Sequence, residues 1–424
     1  MKENKSSSAA ASDARSAESS KEAVDKNWSR LVRRRSFLHG IGAAVSVLPA
    51  TALFAAEKDL DGDDRPLTRG DVAILRLAAA IELIEADLWQ QYNELGGAVD
   101  HNDNPNTGNP SYIAALSNLD SDMPQYISDN TDDEISHAAF INAYLESKGE
   151  EPVSFQAFQT IPPSKATGAN QNLMRITNLQ ALNVDTSWYF RYRSTTNPDL
   201  GARFPQLLNI ANQPAIPISD TDTDPTALVS LLQSFPITDP KARRIQAIAN
   251  TAGLHFAFIE QGGSSLYPIL SLKATSLEVL RILLSIGGVE IDHFSLWHDK
   301  GGNAIAQPLA GPNGLTDPET GLTFPDFNNP VNQQNKNLST TDQAAGSQMF
   351  QTNLILPEPT EFLRKDLPPV SIIRPTLTRN GGAVATVQAF IADNLFLGQQ
   401  DQRFFQTLMR LAQAADDARR DLSG

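Results

Sequence analysis

Two stretches decide the fold of this chain: TDDEISHAAFINAYLESK at residues 131–148 and TSLEVLRILLSIGGVEIDHFSLWHD at residues 275–299. Each has the apolar spacing of an amphipathic helix, and each contains a Glu-x-x-His motif. The two motifs are Glu134–His137 and Glu290–His293. A spacing of three residues puts both side chains of a motif on one helix face. One such motif arises easily by chance, whereas two on separate long helices indicate a shared site.

Two more long helices are predicted at about 69–96 and 241–265, and a dinuclear site would need a buried Glu from each. On the first helix, Glu85 lies in the middle of the apolar stripe, where a carboxylate is unfavourable unless it is paired or binds metal. Glu82 lies at the stripe edge and is the second choice, the alternative being a half-exposed helix acid. On the other helix, Glu260 lies among apolar and small residues.

The two halves of the chain resemble each other. Tyr92 follows Glu85 by seven residues and Tyr267 follows Glu260 by seven, and each half then continues to a Glu-x-x-His motif. This order predicts a twofold pseudo-repeat of a helical hairpin. We expect the tyrosines to be core residues, together with Trp89 and Trp297, although Tyr92 or Tyr267 could also supply an electron to a nearby metal.

The other histidines have ordinary structural explanations. His255 lies about 140° around the helix from Glu260, which predicts a partly buried residue outside the site. His298 is predicted to act near a helix end, close to the negative end of the dipole. His101 lies in a polar loop and is expected to be solvated.

The rest of the chain supports an all-α class with large loops. Capping signals start the second helix at Thr131 and the fourth at Thr275 or Ser276, and Gly301-Gly302 stops the fourth. An insertion at 149–240 contains one further predicted helix, 171–195, which carries several aromatic residues. Residues 301–335 are rich in Gly and Pro and are predicted to form an irregular loop. The last two predicted helices lie at 383–395 and 399–420.

Composition limits the chemistry. The 424 residues include no Cys, so thiolate sites and disulfides are excluded and any metal must be held by carboxylates and imidazoles. The net charge of −15 argues against nucleic acid as a partner.

The N-terminal region resembles a twin-arginine export signal, because it contains Arg33-Arg34-Arg35-Ser36-Phe37-Leu38 followed by a Gly/Ala-rich apolar segment. Cleavage after Ala52 would leave no stretch long enough for stable membrane insertion.

Residues 69–148 and 241–299 are similar to the ferritin-like superfamily, especially exported ferritin-like domain proteins of bacteria and desiccation-related proteins of plants. The resemblance implies a four-helix bundle with a long crossover at 149–240, and two Fe or Mn ions that react with O₂ or peroxide. It implies six metal ligands: Glu85, Glu134, His137, Glu260, Glu290 and His293.

The expected organisation is a disordered segment with a signal peptide at 1–52, a ferritin-like bundle at 53–299 and a loop-rich segment with helices at 300–424. The expected location is the periplasm or the extracellular space, reached by the twin-arginine export machinery. Three functions remain open: a di-iron ferroxidase, peroxidase or oxidase; a manganese catalase-like enzyme; and a non-catalytic, stress-related scaffold. The chain could also form a homo-oligomer.

Overall fold

The computed structural model describes residues 66–100, 104–106, 108–189, 206–233, 237–304, 314–324, 362–372 and 381–421. The predicted signal segment and His101 lie outside these residues. Pro66–Gly424 forms one compact unit. Among the described residues, no helix is both long enough and apolar enough to cross a membrane.

The described part of the chain is mainly α. Its helices are α1 (Arg69–Gly96), α2 (Pro110–Ser117), α3 (Met123–Ser147), α4 (Pro225–Gln233), α5 (Pro240–Ser271), α6 (Leu277–Ala304), α7 (Ala383–Ala392) and α8 (Gln402–Asp417). Two short antiparallel pairs accompany them: β1 (Leu182–Val184) with β2 (Ile210–Gln213), and β3 (Leu315–Thr316) with β4 (Thr323–Phe324). The four long helices predicted from the sequence are all present, as are the two C-terminal helices.

The long helices pack as two pairs, α1 along α3 and α5 along α6, and α8 covers α1. Asp71 fixes the start of two of them. The Thr68 side chain caps α1 by accepting a hydrogen bond from the Asp71 N–H. The Asp71 carboxylate accepts hydrogen bonds from the N–H groups of Thr275 (2.8 Å) and Ser276 (3.2 Å), just before α6. The first turns of α1 and α6 are therefore held side by side.

Three predicted helix boundaries are wrong. Helix α3 begins at Met123, not at Thr131, because Pro124 suits the first turn of a helix. Thr131 is an interior residue whose hydroxyl donates to the Ile127 carbonyl at 2.7 Å. Helix α5 continues past 265 to Ser271, and α6 continues through Gly301-Gly302 to Ala304, because Gly lowers helix propensity by only about 1 kcal/mol and does not by itself end a helix.

The helix predicted at 171–195 is also wrong over most of its described part. Residues 171–187 form turns, bends and β1 instead, and only Trp188 and Tyr189 are helical. The polar groups of residues 171–187 bond to α1: the Asp87 carboxylate accepts hydrogen bonds from the N–H groups of Ile176 (3.2 Å) and Thr177 (2.9 Å). Buried Arg175 pairs with Glu94 at 2.5 Å. These interactions with distant residues take the place of the backbone hydrogen bonds that a helix would have formed. They also attach the insertion to α1.

Candidate metal centre

Each of the four long helices contributes one glutamate to a common interior site. They are Glu82 on α1, Glu134 on α3, Glu260 on α5 and Glu290 on α6, and all four are 0% exposed. His137 and His293 lie one turn beyond the glutamates of α3 and α6, because the i, i+3 spacing keeps each pair on one face. The structure thus brings together five of the six ligands predicted from the sequence, with Glu82 in addition.

The candidate ligand atoms form two groups that share two carboxylates. Glu134 and Glu290 belong to both groups. One group is completed by Glu82 and His137, and the other by Glu260 and His293. Within each group the ligand atoms lie within 4.8 Å of one another. Each group could hold one cation, so the arrangement offers two adjacent candidate subsites, each with its own Glu and His and with two shared glutamates.

Both imidazoles present Nδ1 to the carboxylates. His137 Nδ1 lies 3.2 Å from Glu82, 3.4 Å from Glu134 and 3.5 Å from Glu290. His293 Nδ1 lies 3.1 Å from Glu134 and 3.3 Å from Glu260. A neutral imidazole binds metal through one ring nitrogen, so Nδ1 is the atom available for ligation in both.

The outer side of the two imidazoles differs. His293 Nε2 is 3.0 Å from the carboxylate of Asp133, a half-exposed residue on α3. Such a carboxylate fixes the ring orientation and raises the basicity of the ligating nitrogen. The residue before Glu290, which corresponds to Asp133 by its place in the motif, is Val289. The two subsites are therefore unequal.

Reciprocal hydrogen bonds connect α1 and α5 across the site. The Trp89 indole donates to Glu260 at 2.9 Å, and the Tyr267 hydroxyl donates to Glu82. Trp89 follows Glu82 by seven residues, as Tyr267 follows Glu260. The pseudo-repeat therefore pairs Glu82 with Glu260, and the predicted register based on Glu85 and Tyr92 is wrong by three residues. This pairing could have been predicted from the sequence, since Glu82 and Trp89 have the same spacing as Glu260 and Tyr267.

Asn130, which the sequence reasoning missed, braces the site from α3. Its amide donates to Glu134 at 2.9 Å and to Glu260 at 3.1 Å. Its carbonyl oxygen accepts from the Trp297 indole at 2.6 Å. Asn130 lies four residues before Glu134, on the same helix face, so its position was readable even though its role was not. One amide thus orients carboxylates from two helices.

Glu85 lies beside the six residues but outside both groups. It is 1% exposed, and neither carboxylate oxygen has a hydrogen-bond partner. Burial raises the pKa of Glu85 well above its ordinary value, and the negative charges of Glu290, Glu134 and Glu82 raise it further. The expectation that Glu82 might be a half-exposed acid is wrong. It lies in the ligand group on α1, and Glu85 is a fifth buried carboxyl next to it.

The site holds polar atoms that a folded protein rarely leaves without partners. Buried atoms with no hydrogen bond are Glu82 Oε2, both Glu85 oxygens, Glu134 Oε2, Glu260 Oε2, both Glu290 oxygens, His137 Nδ1 and His293 Nδ1. All are atom types that bind first-row divalent metals. The donor set therefore fits two divalent cations, and the four carboxylates of the two groups would neutralise their four charges.

The pKa shifts show how the cluster behaves without a metal. Burial, and then the charge of Glu134, raises the pKa of Glu82 to about 8. Burial also raises the pKa of Glu290 well above its ordinary value. Burial opposes ionisation of Glu134 as well, but the nearby imidazoles of His137 and His293 lower its pKa to about 2. Metal-free, the site therefore balances its charge with protons.

His137 follows the opposite rule. Burial disfavours its charged form, but the nearby carboxylates of Glu134, Glu290 and Glu82 outweigh burial and raise its pKa to about 12. The pKa of His293 also lies well above its usual range, because the nearby carboxylates outweigh burial. Metal binding must displace these protons, so it should release acid.

The predictions for His255 and His298 need correction. His255 is fully buried rather than partly buried, and its ring bonds to Tyr92 and Asp393. It stays outside the metal groups, as expected. His298 is fully buried inside α6, packed against the rings of Trp188 and Phe294, and is not at the helix end. Because α6 continues to Ala304, its C-terminal end lies beyond His298.

Gly263 allows the Glu290 carboxylate to occupy its position. A Cβ on Gly263 would overlap Glu290 Oε2, whereas a Cβ on its neighbour Gly262 would meet nothing within 4 Å. Gly263→Ala is therefore expected to displace Glu290 and to weaken metal binding about 10- to 100-fold, as loss of a supporting contact does. Gly262→Ala is the matched control, since both changes raise helix propensity equally. Titration of each metal-free protein with Mn²⁺ measures the difference, and equal affinities would contradict the role given to Gly263.

Comparison with known proteins produced no match to a family model, a curated protein or a solved structure. The site residues themselves therefore carry the functional argument.

Proposed function

We propose that this chain is an exported ferritin-like protein that binds two iron or manganese ions and reacts with O₂ or peroxide. The observation that supports this most strongly is the pair of groups sharing Glu134 and Glu290. Bundle-core dinuclear sites use a Glu from each of two helices and a Glu-x-x-His motif from each of two others. Glu82, Glu260 and the two motifs match that description, and no family match is needed for the comparison.

The proposed metal-binding role of each residue follows from its position in the two groups. Glu134 and Glu290 would hold both ions, whereas Glu82 with His137 and Glu260 with His293 would each hold one. Bound iron would supply a centre able to exchange electrons with an oxygen species. Trp89, Tyr267 and Asn130 keep three of the carboxylates in place. The four glutamates are fully buried, and removal from bulk water strengthens each electrostatic interaction among them.

Location follows from a part of the chain outside the described residues. Arg34 and Arg35 and the apolar segment after them support export by the twin-arginine route. That route suits a protein that folds with its metal before it crosses the membrane. The periplasm or the extracellular space is therefore the proposed site of action.

Elemental analysis of the chain, purified from its exported fraction without chelators, tests the proposal. We expect about two iron or manganese ions per chain. Iron with O₂ or peroxide consumption would support an oxidase, peroxidase or ferroxidase, and manganese with O₂ release from peroxide would support a catalase-like reaction. A chain that contains no transition metal and takes up none after reloading would overturn the proposal and favour a scaffold.

A further inference from the structure

A cavity of about 230 Å³ lies beside α1, and its lining residues belong to neither metal group. Leu83, Ala86, Asp87 and Gln90 form its α1 side. These four share one helix face, because spacings of three, four and seven residues return a side chain to the same side of a helix. The insertion supplies the rest of the lining: Val153, Ser154, Phe155, Gln156, Gln159 and Ile176.

Asp87 has one carboxylate oxygen that is used and one that is not. Its Oδ2 accepts hydrogen bonds from the Thr177 hydroxyl (2.5 Å), the Thr177 N–H (2.9 Å), the Ile176 N–H (3.2 Å) and the Gln91 amide (3.4 Å). No residue in the described part of the chain donates to Oδ1. Asp87 is only 7% exposed, and the cavity is the space that it lines. Because buried carboxylate oxygens normally have donors, Oδ1 is the acceptor that a molecule in the cavity would use.

The charge of the cavity favours a neutral ligand. Asp87 is the one ionisable residue in the lining. Burial raises the pKa of Asp87 to about 6, although the hydrogen bond from Thr177 and the charge of Arg175 oppose that rise, so Asp87 is mostly ionised at neutral pH. An anion would meet this carboxylate without a cation in the lining to pair with it. An ammonium ion would meet a carboxylate whose charge Arg175 already offsets in part.

Three carboxamides surround the cavity with further donors and acceptors. Gln90 and Gln159 are half-buried and Gln156 is exposed, and their side chains make no hydrogen bond to another described residue. Each carboxamide carries two N–H donors and one acceptor oxygen. A hydroxyl group both donates and accepts, so neighbouring hydroxyls of one molecule could bond to Asp87 Oδ1 and to these amides together.

The remaining lining is apolar and suits a carbon skeleton. Val153, Phe155 and Ile176 are buried residues of the insertion, and Leu83 and Ala86 come from α1. A mainly apolar wall with a few polar groups is the usual composition of a small-molecule site. The volume lies below the range of about 300–1,000 Å³ that holds drug-sized ligands. The ligand would therefore be small, with about the size of one sugar ring.

We propose that this cavity binds a small neutral polyol, such as a monosaccharide or a cyclitol. Asp87 Oδ1 accepts a hydrogen bond from one hydroxyl, the carboxamides of Gln90 and Gln159 bond to its neighbours, and Phe155 and Ile176 contact the C–H groups of the ring. The site needs no metal ion. The inference therefore goes beyond the proposed function and does not rest on it.

Saturation-transfer difference NMR of the full chain, with and without a metal chelator, tests the inference. The probes are glucose, mannose, ribose and myo-inositol, with butylammonium and acetate as charged rivals. We expect transfer to at least one of the four polyols, none to the charged probes, and no effect of the chelator. The double variant Gln90→Leu/Gln159→Leu keeps the side-chain bulk but removes two hydrogen-bonding groups, so it should weaken polyol binding about 10-fold.

Gln406→Leu is the matched control, since Gln406 is exposed on α8 and does not line the cavity. Its polyol affinity should equal that of the unchanged chain, and circular dichroism verifies that all variants are folded. Asp87→Asn would also disturb the bonds to Thr177, so the glutamine variants carry the test. No transfer to any of the four polyols, or equal affinities in the double variant and Gln406→Leu, would overturn the inference. Binding of butylammonium without polyol binding would show a cation site and overturn it as well.

Discussion

Glu134→Gln is expected to remove both metal ions from the chain, whereas Glu82→Gln and Glu260→Gln should each remove one. The reason is that Glu134 belongs to both ligand groups, and each of the other two belongs to a single group. Gln keeps the shape of Glu but lacks the charge that holds a divalent cation. Metal content of each purified variant should therefore fall from about two ions to nearly none for Glu134→Gln, and to about one for the others.

The control for this series is Glu146→Gln. Glu146 lies on α3 with Glu134 but is exposed, so its replacement should leave metal content unchanged. Circular dichroism would verify that each variant is folded. Equal metal content in the Glu134 and Glu146 variants would contradict the assignment of Glu134 as a shared ligand. Loss of a single ion in the Glu134 variant would mean that it serves one subsite.

The metal-free protein should lose stability as the pH rises from about 5 to 8. Folded-state pKa values above the unfolded ones mean that the folded protein binds protons more tightly than the unfolded chain. For Glu82 this stabilisation is complete below about pH 4.5 and is lost as the pH rises through its folded pKa of about 8. His137, whose pKa is about 12, changes stability in the same direction above about pH 6.5. Glu134 acts oppositely, but only at acid pH, because its folded pKa is about 2.

The expected loss is on the order of a few kcal/mol, since one pKa unit corresponds to about 1.4 kcal/mol. Thermal unfolding of the metal-free chain at several pH values measures it. Mn²⁺ or Fe²⁺ should restore the melting temperature, and the gain should be larger at pH 8 than at pH 5, because fewer protons must then be displaced. Glu290→Gln should flatten the metal-free pH dependence, whereas Glu146→Gln should not. Identical melting temperatures with and without metal would disprove this account.

Much of the site was predictable because helix geometry is local. The i, i+3 spacing alone put Glu134 and His137 on one face, and the structure brings them into the same group as Glu290. Glu260 was predicted because a carboxylate among small and apolar residues is unfavourable unless it is paired or binds metal. These inferences used only the periodicity of single helices.

Choosing between Glu82 and Glu85 required information that one helix does not contain. Both residues are buried, and the apolar stripe of α1 is wide because α8 and the insertion cover the side that the sequence alone would leave to solvent. Glu85, the residue at the centre of that stripe, is therefore not the one that belongs to the ligand groups. The spacing of Glu82 to Trp89, which matches Glu260 to Tyr267, was the better indicator.

The insertion could not be predicted because its structure depends on distant partners. Residues 171–189 look helical by composition, but their polar groups satisfy Asp87 and Glu94 on α1. His255 was similarly misjudged, since its partner Asp393 is 138 residues away. Long-range hydrogen bonds of this kind leave no periodic signal in the sequence.

The most direct test of the dinuclear site is a crystal structure of the chain grown with Mn²⁺, with anomalous diffraction to locate the metal. The account predicts two peaks, one beside Glu82 and His137 and the other beside Glu260 and His293, both in contact with the carboxylates of Glu134 and Glu290. A map with no peak among these residues, in crystals that contain Mn²⁺, would contradict it.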